Sequence, residues 1–581
     1  MKRIISTLLA FVLLIMGVVT TLSSCKDDSD DTPQTEENTK QETEKVDTGI
    51  KKIYVVCPTK TTDAIDRLVR NTRKLITEKT GIETELAIDS VTAYEAKEDC
   101  YYVIFGDTSY EQSKALAQKA EDNKMYYAAA EDSVAVYAKT EQLLVIAAEK
   151  LFAECVKDGS FKVDDKYASL VLDGSDYVRD GWVLNFPAFK RGKLDSKVYN
   201  TGMGIDADKD ASRMQVVGLM TSQGFVEYKA QLEAAGYVKD FENEIEGNLY
   251  ASYTGVLGTN IYAYFTKAKM EIKIIEDNVS TPLSEFNYKL DASKDTRLYA
   301  FKMAYKSEDC FLIHLADNSW FVIDGGYTGE IAGSNYVKDL YNFMAERSNL
   351  KDGEKLQISC WYLTHAHSDH FFGMYGLIHE YGDKVIVHRV VDNTPVDGYM
   401  VIDYRKHYER LLKKIKTDNP NVMYLKVHTG MKINVADTSA EVLFTHEDII
   451  YDYQGGSTAN PNRISLIAVF DIAGLTFLET ADNMTYNNYS QYSIGKLTTD
   501  VLKIAHHYYD KSMDTLYEKL YKTGKVSYCY NPRWESTANA ANNYQAPTMA
   551  LFGSKYLQGS ETKIYEFYRS GSSVKMNVIY D

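Results

Sequence analysis

The sequence predicts a multidomain chain of mixed α/β and α+β class. Three observations lead there. The chain has 581 residues, and at about 100–200 residues per domain this suggests roughly three to five domains. Hydrophobic residues make up 45% and charged residues 25%, which permits large buried cores. Helix-period and strand-period segments alternate early on, and strand signals dominate the stretch that begins near residue 291. The expected divisions are 1–25, 26–50, 51–190, 191–290 and 291–581.

The opening "MKRIISTLLAFVLLIMGVVTTLSSCKDD" has a basic start at Lys2 and Arg3, an apolar run, and small residues before Cys25. It resembles a bacterial lipoprotein signal. The resemblance implies cleavage before Cys25, lipidation of its thiol, and export to the outer membrane. Residues 26–50, "KDDSDDTPQTEENTKQETEKVDTGI", are nearly devoid of apolar side chains and are read as a disordered acidic tether. The acidic start of this tether resembles those that carry lipoproteins to the cell surface. No other stretch is long and apolar enough to span a bilayer.

Residues 51–190 read as an α/β unit. "KKIYVVC" is a strand, and the helix after it places Ile65, Leu68, Val69, Thr72, Leu75 and Ile76 on one face, with Gly81 as its stop. "ETELAID" and "YYVIFGD" are strands, "SYEQSKALAQKA" a helix, "YYAAAEDSVAVYA" a hairpin and "EQLLVIAAEKLFAECV" a further helix. The element order resembles small non-catalytic domains that precede the catalytic parts of some bacterial glycoside hydrolases. Residues 191–290 read as a small α+β unit with a β-α-β-β-β order. Its helix carries Phe225, Tyr228 and Leu232 on one face, and aromatics alternating along its strands fill a core.

The net charge is −17 with no dense Lys/Arg block, so no dedicated nucleic-acid-binding surface is evident. Acidity does not exclude a polyanionic substrate, because bound metals supply local positive charge. Six cysteines besides Cys25 are too sparse for a disulfide-built scaffold, and no CxxC pair is present.

From 291 the strands "RLYAFKMAY", "CFLIHLADN" and "SWFVIDGG" lead to "QISCWYLT", and directly after it come three histidines and an aspartate within six positions, "HAHSDH" at 365–370. His365 and His367, two apart in a tight loop, can converge on one ion. Asp369 and His370, at the turn into a helix, can face a second. Imidazole with carboxylate suits zinc, or iron and manganese.

This segment resembles the HxHxDH signature of the metallo-β-lactamase superfamily. "FVIDGG" at 321–326, "NRISLIAVFDIAGLTFLETADN" at 462–483 and "VLKIAHHYYD" at 501–510 resemble further family segments, the last in the branch whose members carry a double histidine. The resemblance implies an αββα sandwich over 291–581 and one or two divalent ions, zinc first. It implies metal ligands His365, His367, Asp369, His370, Asp482 as a bridge, and one of His506 and His507, with His507 preferred. Asp324 braces the metal loop. The third histidine of the first ion is open between His446, ranked first, His428 and Asn462. Ala481 stands where the family has glycine, and Tyr508 replaces the glycine after the double histidine. Asp369 and His506 are the catalytic candidates, and Tyr508, Arg533 and Trp534 the substrate contacts.

The implied activity is hydrolysis by metal-bound hydroxide of phosphodiester or other ester bonds. The substrate is a small molecule, a glycan or a phosphodiester of the envelope or surroundings. The alternative is a non-catalytic lipoprotein that binds glycan or protein through a degenerate hydrolase domain.

Overall fold

The computed structural model describes residues 49–90, 98–199, 212–303, 307–326, 335–394, 402–449, 461–509, 511–534 and 546–580. The expected signal, Cys25 and nearly all of the tether lie outside them, as does the side chain of Trp534. Among the described residues, no helix is long and apolar enough to cross a membrane, and the six cysteines are free thiols.

The first sheet has six strands in the order Glu83–Ile88, Lys52–Cys57, Cys100–Phe105, Ser133–Ala138, Lys124–Ala130 and Val171–Asp173. Its first four strands run parallel. The helix Asp63–Thr80 covers it. Thr62 accepts the Ile65 N–H at its start, Asp63 and Asp66 complement the positive end of its dipole, and Gly81 ends it in the left-handed region at φ 74°. Its buried face carries Ile65, Leu68, Val69, Thr72 and Ile76, whereas Leu75 is only partly buried at the margin.

The second sheet is antiparallel and also six-stranded: Lys193–Tyr199, Ser212–Gly218, Glu271–Asp277, Asn260–Thr266, Asn248–Thr254 and Val238–Ile245. Its two outermost strands are absent from the expected β-α-β-β-β order. Val238–Ile245 is a largely exposed edge, and a bulge between Lys239 and Phe241 breaks its period of two. Phe225, Tyr228 and Leu232 of the helix Ser222–Ala234 pack on one face with Tyr253 and Ile261. Tyr250, Tyr262 and Tyr264 bury on the other against the C-terminal region. The alternating aromatics therefore fill two cores at once.

The C-terminal region contains two large sheets. One runs Met423–Lys426, Arg389–Asp392, Leu356–Tyr362, Trp320–Asp324, Cys310–His314, Arg297–Ala300, Lys563–Ser570 and Ser573–Tyr580, with Val385–Val387 also paired to Leu356–Tyr362. The other runs Tyr288–Lys289, Lys432–Ala436, Thr438–Phe444, Ile467–Ile472, Leu475–Glu479, Val501–Lys503, Tyr528–Trp534 and Tyr556–Gly559. Their inner faces meet through aromatic rings: Phe311 lies 4.9 Å from Phe477, and Phe321 and Tyr362 lie 5.8 and 5.5 Å from Phe470. The helices Asn335–Arg347, Ser368–Tyr381 and Ile402–Asp418 cover the outer face of the first sheet. Gly373 allows the second of them to approach closely, since a Cβ there would stand 1.8 Å from the Gly325 carbonyl oxygen. That approach sets the helix start, and with it His370, against the turn after Asp324.

Candidate metal centre

Four segments meet at one edge of the paired sheets. Strand Trp320–Asp324 ends in Asp324, itself left-handed at φ 59°. The Asp324 carboxylate accepts the Thr364 N–H at 2.8 Å and the Thr364 hydroxyl at 2.9 Å, and pairs with His370 Nδ1 at 2.6 Å. These bonds fix the loop that follows Leu356–Tyr362 and turn His370 Nε2 inward. A backbone carbonyl does the same for His507, whose Nδ1 lies 2.9 Å from the Pro532 oxygen. Fixing the outer ring nitrogen leaves the inner one to face a ligand.

Asp482 lies at the centre. Its carboxylate is 3.4 Å from His370 Nε2 and 3.5 Å from His507 Nε2, and His507 Nε2 is 3.3 Å from Asp369. Donors about 2.1 Å from one tetrahedral zinc stand about 3.4 Å apart. His370 Nε2, His507 Nε2 and one Asp482 oxygen are buried with no hydrogen-bond partner, so the set fits an ion. On its other side Asp482 lies 3.9 Å from His365 Nε2, which is 3.1 Å from His367 Nδ1. Two groups of donors thus share this aspartate: Asp309, His370, Asp482 and His507 in one, and His365, His367 and Asp482 in the other. They make a di-metal-binding cluster of His and Asp ligands.

The electrostatics match such a cage. Burial raises the Asp482 carboxyl, but His507 and His370 outweigh it and hold it well below its ordinary value. Burial lowers His507, yet Asp482 and Asp309 carry it up to about 10. Burial and the neighbouring His370 and His367 push His365 well below its ordinary value. Charged and neutral imidazoles are crowded around fixed carboxylates, an arrangement that divalent cations relieve.

His506, His507 and Tyr508 adopt φ of 47°, 51° and 56° in succession. Left-handed backbone at non-glycine residues costs on the order of 1–3 kcal/mol each, and here it throws both imidazoles toward Asp482. His506 Nε2 lies 3.9 Å from Asp482 and accepts a hydrogen bond from Asn462 Nδ2 at 2.8 Å.

Three sequence expectations are corrected. Asp369, expected as a metal ligand, is in neither group of converging donors among the described residues, and its carboxylate faces His507 Nε2 at 3.3 Å. His446 is in neither group of converging donors among the described residues. It sits in the short turn His446–Asp448, whose neighbours Glu447 and Asp448 are drawn to His428, Thr429 and Tyr264 instead. His428 belongs to that second cluster as well. Of the three residues that compete for the first ion, Asn462 is the one whose contact with His506 places it beside the cage. Tyr508 does not face substrate: it is buried, donates to Asp514 and accepts from Thr548 at 2.9 Å. Arg533 stacks over Tyr509, 4.6 Å from the ring centre, and Tyr509 in turn lies 5.0 Å from the His506 ring.

Asp309, Glu479 and Lys503 were not anticipated. Their signal is a lysine inside the otherwise apolar strand "VLKI" and acids at strand ends, because a buried ammonium requires carboxylate partners.

Residues 306–450 match the sequence pattern of the metallo-β-lactamase superfamily. The chain carries a metallo-β-lactamase superfamily domain. Asp482 and His507 lie beyond the matched residues and join the metallo-β-lactamase site through the second sheet. The metallo-β-lactamase domain with its donor cluster supports a metallohydrolase function.

Among solved structures, the chain is similar to CmlA, a diiron β-hydroxylase from Streptomyces venezuelae, with 12% identity, 50% of this chain and 54% of that one covered, and a TM-score of 0.29. It is also similar to a Cronobacter sakazakii metallo-β-lactamase with a HARLDQ motif, with 12% identity, 47% and 92% covered, and a TM-score of 0.23. A third is the flavodiiron protein of Giardia intestinalis, with 12% identity, 42% and 52% covered, and a TM-score of 0.21. The chain spans about half the length of the first of these. No curated protein matches it.

Proposed function

We propose that the protein is a metal-dependent hydrolase of phosphodiester or other ester bonds in an extracellular or envelope substrate, exported as a lipoprotein anchored through Cys25 and facing the cell surface. The layers described above are read as one αββα sandwich over 291–581. The observation that carries the reading is the sharing of Asp482 by two groups of converging donors, in the first of which His370 Nε2, His507 Nε2 and an Asp482 oxygen are buried with no hydrogen-bond partner. Imidazole with carboxylate favours zinc, and manganese and iron are the competing ions the same donors accept. A divalent ion held there supplies Lewis acidity, acidifying a water and offsetting negative charge that builds on the attacked group.

The chain's own residues divide the remaining work. Asp324 and the Pro532 carbonyl hold His370 and His507 in one tautomer and orientation. His365, His370, His507 and Asp482 are closed off from solvent. Asp369, with 28% of its side chain exposed, and His506, with 20%, form the open edge. Substrate must approach there. Asp369 is placed to align the attacking water. His506, at the same edge with Asn462 donating to its Nε2 and the Met484 sulfur 2.7 Å from its Nδ1, is our candidate for exchanging a proton with the group that leaves, once substrate displaces one of these contacts.

The test uses the chain without residues 1–48. It should contain stoichiometric zinc or a competing divalent ion and hydrolyse bis-nitrophenyl phosphate, and Asp482→Ala should abolish turnover. Full turnover in Asp482→Ala, or a folded protein that takes up no divalent ion, would refute the reading.

A further inference from the structure

The turn that presents Asp482 is strained, and a buried lysine holds it. Ala481 lies in the left-handed region at φ 46°. Its N–H donates to Glu479 at 2.7 Å. Its carbonyl accepts from Lys503 Nζ and from the His506 N–H. Both polar groups of the strained residue are therefore captured, one by a carboxylate and one by an ammonium.

Lys503 is fully buried and its charge is shared among three acids. Nζ lies 2.8 Å from Asp309, 3.7 Å from Asp482 and 3.9 Å from Glu479. Asp309, also fully buried, ties together the other ligand-bearing segments through its backbone. Its N–H donates to the Asp369 carbonyl at 3.1 Å, and its carbonyl accepts from Gly325 and Gly326 at 3.1 and 2.8 Å. The Lys503–Asp309 pair thus connects the turn after Asp324, the start of the helix with Asp369 and His370, the Asp482 turn and the strand leading to His507.

Asp309 lies within reach of the donors around His370, with its Oδ2 3.6 Å from His370 Nε2. That same oxygen carries the Lys503 ammonium. An ion on that oxygen would face the Lys503 ammonium at close range, so Lys503 occupies Oδ2 and leaves Oδ1, buried with no hydrogen-bond partner, as the oxygen of Asp309 that can turn to the donors around His370.

We propose that Lys503, paired with Asp309, is a positioning residue for the bridging carboxylate of Asp482 and thereby sets the affinity of the centre for a divalent cation. This rests on the metallohydrolase reading. Lys503 does not touch the reacting atoms. It fixes the Ala481 carbonyl and balances the carboxylates that surround the cage.

The experiment measures zinc affinity and stoichiometry by calorimetry and elemental analysis, and the visible spectrum of the cobalt-substituted protein, which reports ligand geometry. The variants are Lys503→Met, Lys503→Arg, Asp309→Asn, and the double change Lys503→Met with Asp309→Asn. The double change removes opposite charges together, so it keeps the protein folded if the single ones do not.

We expect the double variant to fold, to bind zinc roughly 10–100-fold more weakly, as loss of groups that orient ligands does, and to show an altered cobalt spectrum. Lys503→Arg should recover part of the affinity. Wild-type zinc affinity and cobalt spectrum in the double variant would overturn the proposal alone. Tighter zinc binding in Lys503→Met together with weaker binding in Asp309→Asn would overturn it by making Lys503 the ion's competitor for Asp309. Wild-type protein that binds no zinc or cobalt would sink the hydrolase reading and this proposal with it.

Discussion

Tyr262 of the second sheet stacks on His428 of the C-terminal region, with ring centres 4.8 Å apart and planes 21° apart, and its hydroxyl donates to the Thr429 carbonyl at 2.7 Å. His428 also lies 2.9 Å from Glu447 and 3.3 Å from Asp277, and Lys426 lies 3.5 Å from Glu447. All four ionisable groups are buried. This cluster joins the second sheet to the C-terminal region and gives the fold a pH-dependent seam.

Burial lowers His428, but Glu447 and Asp277 outweigh it and raise it above its ordinary value. Burial raises Glu447 and Asp277, but His428 outweighs it and depresses both. The histidine's contribution is present below its ordinary value of about 6.5 and fades as pH climbs through the raised one. The carboxylates' contribution is present above their ordinary range near 4 and fades as pH falls through their depressed values. The seam therefore contributes most between about pH 4.5 and 6.5. His428→Gln should cost about 3–5 kcal/mol in that window, read by urea unfolding, with a smaller difference from wild type on either side. A pH-independent difference would exclude the charged pair.

Phe470 is the keystone between the facing sheets, with Phe321, Tyr362 and Phe477 within 6.0 Å of its ring centre. Phe470→Ala leaves a cavity and should lower stability by about 3–5 kcal/mol. The denaturation midpoint should fall and the m-value should hold. A loss below about 1 kcal/mol would mean the sheets do not close on this ring.

Cation removal should destabilise the protein. An ion present at 100 times its dissociation constant adds about 2.7 kcal/mol. Chelation should lower the melting temperature and zinc should restore it, monitored by scanning calorimetry. A melting temperature indifferent to both treatments would contradict a cation-filled cage.

Tyr508→Phe separates a packing role from a substrate role. The hydroxyl bridges half-buried Asp514 and buried Thr548, so its loss should cost about 1–3 kcal/mol of stability. The Michaelis constant toward bis-nitrophenyl phosphate should stay at its wild-type value. A rise in that constant without loss of stability would return Tyr508 to the substrate surface.

Local spacing alone made much of the site legible. "HAHSDH" places its donors within six positions, where the chain has no room to send them far apart, and the Asp-Gly-Gly after an apolar strand marks a tight turn at its end. Asp482 and His507, each beyond the end of a strand, were legible through the resemblance of their segments to those of the metallo-β-lactamase superfamily. Helix faces followed from period alone, and so did the strands whose apolar residues meet a core. The exposed, bulged edge strand Val238–Ile245 lacked that pattern because solvent imposes no alternation on it.

Contacts between distant segments were settled only when the sheets closed. His446 and Asn462 both follow strands or precede them, and no spacing rule ranks one over the other; the pairing of Thr438–Phe444 with Ile467–Ile472 sends His446 toward the second cluster and Asn462 toward His506. Tyr508, in place of the family's glycine, is expected as a substrate contact, yet its hydroxyl turns inward to Asp514. Lys503 and Asp309 stand almost two hundred positions apart in sequence, and 2.8 Å apart in the fold. The sequence determined which side chains can bind a cation, because donor chemistry belongs to each residue. The tertiary structure decided which of them meet, because burial leaves each charge only the partners that packing brings within reach.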